Sequence, residues 1–183
     1  MRSTCGPHGF SEDYEAVARL WSDRATPSSA VIRMEQGTDG SVFVGLSNRG
    51  WSSLGTAAYG SQRLVWTGQT PFEIKEMRAK PDGFELVFTK PVNRETASAT
   101  TAYSMSSHTY TYHSTYGSDE ILKQNPTIEQ ATVSEDGRRV HLIITGLREN
   151  FVHELEVAGV RSTDGEPLLH PRAYYTLNSI PTE

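Results

Sequence analysis

The strongest constraint on the fold is a regular succession of short β-prone stretches and turn signals between residues 71 and 178. Apolar residues at every second position of 84–89 predict a strand with one buried face. Asp-Gly pairs at 82–83 and 136–137 predict tight hairpin turns. Turn signals recur every ~8–12 residues, as they do in immunoglobulin-like sandwiches. Seven strands are predicted, at 71–79, 84–89, 102–113, 127–134, 138–146, 151–160 and 173–178.

The fold class predicted from this pattern is all-β. We expect an Ig-like or fibronectin-like β-sandwich over 69–183, preceded by an N-terminal extension over 1–68. No long helical pattern interrupts the strands, which argues against a parallel sheet with crossover helices. Between the strands, 90–101 is predicted to be a polar crossover and 114–126 a loop.

The extension combines one predicted amphipathic helix, at 11–23, with a few strands. Those strands are predicted at 31–35, 41–47 and 63–68. The extension is short and rich in glycine, so its large aromatic side chains need another surface to pack on. We therefore predict a domain interface that uses Trp51, Tyr59 and Trp66.

Charge and hydropathy argue against several classes of function. The chain has 17 Lys and Arg against 22 Asp and Glu, for a formal net charge of −5. Nucleic-acid binding needs a basic stripe and membrane-surface binding a polybasic patch, so neither is expected. No apolar stretch is long enough to span a membrane, and no signal peptide is recognisable. We expect any export signal to lie upstream of this sequence.

The histidines do not suggest a metal site. His108 and His113 have opposite parity on one predicted strand, so they point to opposite faces unless the strand bulges. Because zinc needs three or four converging ligands, no metal is predicted. His153 shares its parity with apolar neighbours and follows a predicted corner at 147–150. We expect it to form a structural hydrogen bond with the backbone there.

The sequence also suggests no catalytic group. Cys5 and His8 lie in a glycine- and proline-containing terminus without an orienting third group, so an ordinary thiol is the favoured interpretation. Glu154 and Glu156 share a strand face at a spacing of ~6–7 Å, which a glycosidase pair could use. Solvated glutamates on an outer face are the commoner case. We predict no enzyme activity, no catalytic residue and no cofactor.

Tyrosines form the most suggestive set of residues. Tyr110 and Tyr112 share a predicted face with His108, Tyr116 follows shortly after, and Tyr174 and Tyr175 lie near the end of the sequence. Exposed rings in a row could stack against sugars, which makes Tyr110, Tyr112, Tyr116 and His108 a candidate carbohydrate site. The alternative is that Tyr110 and Tyr112 line the core or a domain interface, since half-buried tyrosine is common in strands. The sequence favours this alternative without excluding the first.

Two stretches of the sandwich region resemble a known family. The sequence FTKPVNRETA at 88–97 is followed at 133–168 by VSEDGRRVHLIITGLRENFVHELEVAGVRSTDGEPL. Their order and spacing resemble surface-layer-type bacterial Ig-like domains, over about 71–179. This resemblance implies the same sandwich fold that the strand pattern predicts.

The stretch DGSVFVGLSNRGWSSLGTAAYGSQRLVWTGQTPFEI at 39–74 resembles the closing strands of a six-bladed β-propeller of the glucose/sorbosone dehydrogenase type. That family often has Gly-Leu-Gln-Arg-Leu where this chain has Gly-Ser-Gln-Arg-Leu at 60–64. Such propellers bind pyrroloquinoline quinone through earlier blades, so no catalytic residue carries over to this chain. The resemblance implies an extracytoplasmic setting, periplasmic or secreted, in a sugar dehydrogenase-like parent.

The function predicted from the sequence is therefore that of a non-catalytic structural or interaction module, the C-terminal tail of a larger extracytoplasmic protein. Its expected partners are other domains of that parent, and no nucleic acid is expected. The alternative hypothesis is a carbohydrate-binding module whose ligand is a polysaccharide held by the tyrosine-rich strand.

Overall fold

The computed structural model describes residues 27–48, 55 and 57–182. The chain divides into two compact units, with the division between Thr70 and Pro71. The predicted helix at 11–23, the Cys5 and His8 pair and Trp51 lie outside the described residues. None of the described helices is long and apolar enough to cross a membrane.

The first unit contains a three-stranded antiparallel sheet. Its strands are β1 (Ala30–Gln36), β2 (Val42–Ser47) and β3 (Tyr59–Leu64), in that spatial order. Val44 and Leu46 on the central strand are buried. The prediction of a strand at 63–68 was wrong in position, because β3 pairs with β2 over 59–64. Those six residues are mostly polar and exposed, so backbone pairing places the strand where no apolar alternation marks it.

The second unit is a β-sandwich of two four-stranded antiparallel sheets. One sheet has the order β4-β5-β9-β8 and the other β11-β10-β6-β7. This arrangement confirms the all-β fold predicted from the sequence. The strands are β4 (Ile74–Lys80), β5 (Gly83–Phe88), β6 (Ser104–Tyr110), β7 (Glu120–Gln124), β8 (Thr127–Val133), β9 (Arg139–Thr145), β10 (Phe151–Glu156) and β11 (Arg172–Leu177).

The inner faces of both sheets form one hydrophobic core. Its fully buried side chains alternate along β5, β9 and β10, as the period of two requires. They include Phe84, Leu86, Phe88, Val140, Leu142 and Leu155. Gly83 lies at the close approach of β5 and β9, where a Cβ would overlap the carbonyl oxygen of Leu142. The Asp-Gly pair at 82–83 therefore serves sheet packing as well as the turn.

Two connections contain regular structure where the sequence predicts none. The crossover at 90–101 holds a short helix α1 (Arg94–Ser98), and a 3-10 turn follows at Thr100–Ala102. Asn93 caps α1, since its side-chain oxygen accepts from the Thr96 amide at 3.0 Å. The segment at 114–126 contains β7, so its prediction as a loop was wrong. Conversely, the long strand predicted at 102–113 shortens to β6.

Candidate functional site

The outer face of the β11-β10-β6-β7 sheet carries the candidate site. His153 and Leu155 of β10 are buried in the core, so their strand neighbours Val152, Glu154 and Glu156 face outward. Cross-strand register then assigns the outward residues of the adjacent strands. Tyr174 lies opposite Glu154, and Glu154 lies opposite Ser106 on its other side. We call this surface the outer face.

Tyr174 is held in place on the outer face by its hydroxyl. The hydroxyl donates a hydrogen bond to Oε1 of Glu154 at 3.1 Å, between directly paired residues of β11 and β10. The Nη1 atom of Arg172 lies 3.8 Å from the same carboxylate oxygen. Tyr174 nevertheless remains 60% exposed. Its orientation is therefore restricted while much of its surface is open to a ligand.

A second tyrosine is held in the same way at the end of β6. The hydroxyl of Tyr110 lies 3.1 Å from Nε2 of His108, and the two rings meet edge to face with centroids 5.2 Å apart. His108 itself is buried on this face, whereas Tyr110 is 51% exposed. Glu120 of β7 approaches His108 at 3.8 Å. The structure thus brings together two of the four predicted ligand-binding residues.

Glu120 and Lys123 form an ion pair at the edge of this face. Their charged atoms are 2.7 Å apart. Residues three apart in a regular strand point to opposite faces, but Leu122 between them has a φ of 54°, which breaks the alternation. The hydrogen bond lowers the pKa of Glu120 and raises the pKa of Lys123, and the nearby Glu154 carboxylate raises the pKa of Lys123 further. Lys123 thus lies within electrostatic range of Glu154, and its partner Glu120 lies opposite Tyr110 in the strand pairing.

Arg148 holds the irregular pairing between β6 and β7. The register of these strands shifts between Ser107 and Thr109, which leaves carbonyl groups without their usual partners. The two N–H groups on Nη2 of Arg148 are shared among three acceptors, the Ser107 carbonyl at 3.0 Å, the Ser107 hydroxyl at 2.6 Å and the Leu122 carbonyl at 2.9 Å. The guanidinium also lies 3.7 Å from the centroid of the Phe151 ring. Arg148 thus fixes the strand that carries Glu120 and Lys123.

His153 lies beneath the outer face, fully buried in the core. Its Nε2 accepts from the backbone N–H of Arg148 at 3.4 Å, and its ring packs against Phe84 with centroids 5.8 Å apart. Its Nδ1 has no hydrogen-bond partner among the described residues. Burial lowers the pKa of His153 below its ordinary value of 6.5. This geometry fits a neutral imidazole, which stabilises the corner at 147–150 by accepting the hydrogen bond from the Arg148 backbone.

Tyr112 and Tyr116 lie in the connection between β6 and β7. The predicted shared face of Tyr112 with His108 was wrong, because β6 ends at Tyr110 and both residues belong to the connection to β7. Both are completely exposed. Of the predicted interface residues, Tyr59 is 83% exposed and Trp66 is 38% exposed. Their role at an interface stays a prediction.

Tyr174 was noted among the tyrosines of the sequence but was not placed in the predicted site, whereas Lys123 was missed and Glu154 was weighed only for catalysis. A signal for Tyr174 was present, since residues of opposite parity in 173–178 must face opposite sides of the sheet. The signal for Lys123 was absent, because its direction depends on the backbone of Leu122. Among residues 27–48, 55 and 57–182, no three His, Cys, Asp or Glu side chains converge as metal ligands.

Comparisons with known proteins give limited similarity. No protein-family model matches the chain. No curated protein matches it either. Among solved structures, the chain is similar to the S-layer protein rSbsC(31-844) and to SbsC domains 1-6, in both cases with 19% identity and a TM-score of 0.45. Each of these two matches covers 59% of this chain and 14% of the other.

The N-terminal part of the bacterial S-layer protein SbsC is similar at 18% identity and a TM-score of 0.44, over 59% of this chain and 24% of that one. This chain thus spans less than a quarter of each of these structures. A similarity at this level has no bearing on function. These matches include no sugar dehydrogenase, so the resemblance to dehydrogenase propellers has no support beyond the sequence stretch that carries it.

Proposed function

We propose that the sandwich is a non-catalytic interaction module of a larger extracytoplasmic protein, and that it binds its partner through the outer face. The observation that carries this proposal is the pair of exposed tyrosines, Tyr110 and Tyr174, each tied through its hydroxyl to a neighbour on one sheet face. Aromatic side chains with fixed orientation are effective binding anchors, because little rotamer freedom is lost when a partner docks.

The electrostatics of the outer face favour binding over acid–base catalysis. A carboxylic acid that donates a proton at neutral pH needs a raised pKa, and burial without a cation is the usual cause. Glu120 has the opposite environment, because Lys123 lowers its pKa and its side chain is 42% exposed. The ion pair is therefore better suited to contacting a partner than to transferring protons.

The extracytoplasmic setting and the larger parent rest on the family resemblances of the sequence. Under this proposal, the module positions or connects other domains of a sugar dehydrogenase-like protein without taking part in oxidation. The first test is an assay of the purified full chain with glucose, pyrroloquinoline quinone and an artificial electron acceptor. We expect no turnover, and turnover that depends on the quinone would overturn the proposal.

The second test locates the binding surface. Backbone NMR shifts of the full chain are recorded while soluble polysaccharides or candidate partner domains are added. Shifts are expected near Ser106, Glu154 and Tyr174 on the outer face. The matched control is the other sheet, where Glu85 and His141 lie opposite each other on the outward side of β5 and β9. Shifts centred on that second surface would contradict the proposal.

Carbohydrate binding by the tyrosine-rich segment is the second candidate function. The observation that favours it is exposure, since Tyr110 is 51% exposed and Tyr112 and Tyr116 are completely exposed. These three residues could present rings and hydroxyls to a polysaccharide, while the buried His108 would act only by holding the Tyr110 hydroxyl. The test is the substitution Tyr112→Ala, which should lower polysaccharide affinity while Tyr59→Ala in the first unit leaves it unchanged. Equal affinity of wild type and Tyr112→Ala would remove Tyr112 from the site.

A further inference from the structure

The tyrosines of the sandwich fall into two groups that differ in how firmly they are held. Tyr174 and Tyr110 are half-exposed and restrained by hydrogen bonds to Glu154 and His108. Tyr112 and Tyr116 have no side-chain hydrogen bond among the described residues and project fully into solvent. A free ring must lose rotamer entropy when it binds, whereas a restrained ring has already lost it. The restrained pair is therefore the better platform.

Polar groups with unused hydrogen-bonding capacity lie near Tyr174 and Tyr110. The Glu154 carboxylate accepts one bond from Tyr174 and keeps further lone pairs, while its side chain is 27% exposed. Lys123 gives one N–H to Glu120 and keeps two, with its side chain 64% exposed. Ser106, beside Glu154 on β6, adds a hydroxyl that can both donate and accept. Such a mixture suits sugar hydroxyls, which act in both ways.

The charges of the outer face select against a polyanion. Glu120, Glu154 and Glu156 carry three negative charges, while Lys123 and Arg172 carry two positive charges. Glu120 and Lys123 pair with each other, and Arg172 lies beside Glu154. The local potential is thus close to balanced and slightly negative. An uncharged chain matches this surface better than an acidic polysaccharide or a nucleic acid does.

The separation of the two rings sets the size of the ligand. Tyr174 is on β11 and Tyr110 on β6, with β10 between them. Two strand spacings give ~10 Å across the sheet, and the four positions from Ser106 to Tyr110 give ~13 Å along it. The Cα atoms of Tyr174 and Tyr110 are therefore roughly 16 Å apart by strand geometry. A single sugar ring cannot contact both side chains, so the ligand must be an extended chain.

From this arrangement we infer that the outer face binds an uncharged polysaccharide laid diagonally from Tyr174 to Tyr110, with Glu154 and Lys123 contacting its hydroxyl groups. The inference rests on the proposed function and names its ligand. It also assigns the stacking contacts to Tyr174 and Tyr110 and gives none to Tyr112 or Tyr116.

The test is calorimetric titration of the full chain with soluble β-glucan, dextran and galactomannan, and with alginate as the acidic comparison. We expect binding of at least one uncharged polymer and at least tenfold weaker binding of alginate. Tyr174→Ala and Tyr110→Ala should each lower the affinity for the bound polymer at least tenfold. The matched controls Tyr112→Ala and Tyr116→Ala should stay within twofold of wild type.

Two further variants separate stacking from folding. Tyr174→Phe keeps the ring but removes its bond to Glu154, so we expect a loss between those of wild type and Tyr174→Ala. Ser106→Glu leaves the core untouched and adds bulk and charge beside Glu154, so it should abolish binding. Circular dichroism and thermal unfolding establish whether each variant folds. If an alanine variant does not fold, the binding measured for Ser106→Glu decides the result.

The outcomes distinguish the inference from the proposed function. If Tyr112→Ala weakens binding as much as Tyr174→Ala, the loop tyrosines hold the sugar and the inference is overturned. If none of the uncharged polymers binds while a protein partner shifts outer-face resonances, the inference fails and the proposed function stands. If alginate binds as well as the uncharged polymers, the charge argument is wrong and the inference is overturned.

Discussion

The backbone N–H of Arg148 donates to Nε2 of the fully buried His153, while the guanidinium of the same arginine holds β6 and β7 together. One residue thus joins the corner before β10 to the edge strand of the outer face. Protonation of His153 would place a hydrogen on Nε2, opposite a donor, and a charge close to the guanidinium. Stability and the geometry of the site are therefore connected at this position.

The first prediction concerns pH. The pKa of His153 is lowered in the folded state, mainly by burial, so the unfolded chain binds a proton more readily. Its contribution to stability is complete above pH 6.5, the ordinary value, and is lost as the pH falls from there through the folded-state pKa. Urea unfolding between pH 7.5 and pH 5 measures this. His153→Phe should flatten the dependence, and an equally steep loss in that variant would exclude His153 as its source.

The second prediction concerns Arg148. Arg148→Ala leaves the carbonyl groups of Ser107 and Leu122 without this donor, and charged hydrogen bonds contribute about 1.5–3 kcal/mol each. We expect a loss of about 2–4 kcal/mol in the free energy of unfolding. Amide hydrogen exchange should accelerate most in β7. Arg148→Lys is the control and should recover part of the loss, whereas unchanged protection of β7 would contradict the role of Arg148.

The third prediction concerns Gly83. A Cβ in Gly83→Ala would overlap the Leu142 carbonyl, so β5 and β9 must separate, and we expect a loss of more than about 2 kcal/mol. Gly165→Ala is the matched control, since Gly165 has a φ of 82° with open space around its Cα. It should cost only about 1–2 kcal/mol, the usual penalty for a left-handed residue. Thermal unfolding of both variants decides, and equal losses would refute steric overlap at Gly83.

The fourth prediction concerns the sequence-based interface at Trp51, Tyr59 and Trp66. If these rings pack at an interface, the Trp emission of the full chain is blue-shifted, and a variant that begins at Thr70 unfolds several degrees lower. Fluorescence and thermal unfolding measure the two effects. Red-shifted emission together with equal stability of the shorter variant would instead show that these rings contribute nothing to the sandwich.

Much of the fold was predictable because its information is local. The alternation of Phe84, Leu86 and Phe88 reflects one buried face of β5, and the Asp-Gly pairs mark the turns, with two residues between β4 and β5 and five between β8 and β9. The two hairpins β4-β5 and β8-β9 follow from these signals. Strand β7 was missed because it is short, largely exposed and irregular at Leu122, so neither apolar period nor turn chemistry marks it.

The sequence by itself determined the all-β class, the two hairpins and the inward direction of His153, since each depends on neighbours a few residues away. Only the tertiary structure decided which residues share the outer face. Tyr174 reaches Glu154 through the pairing of β11 with β10, over 20 residues of sequence. Lys123 lies on the same face because Leu122 has a positive φ and because the Arg148 guanidinium donates a hydrogen bond to the Leu122 carbonyl of β7. Register between distant strands arises from core packing, which no short stretch of sequence records.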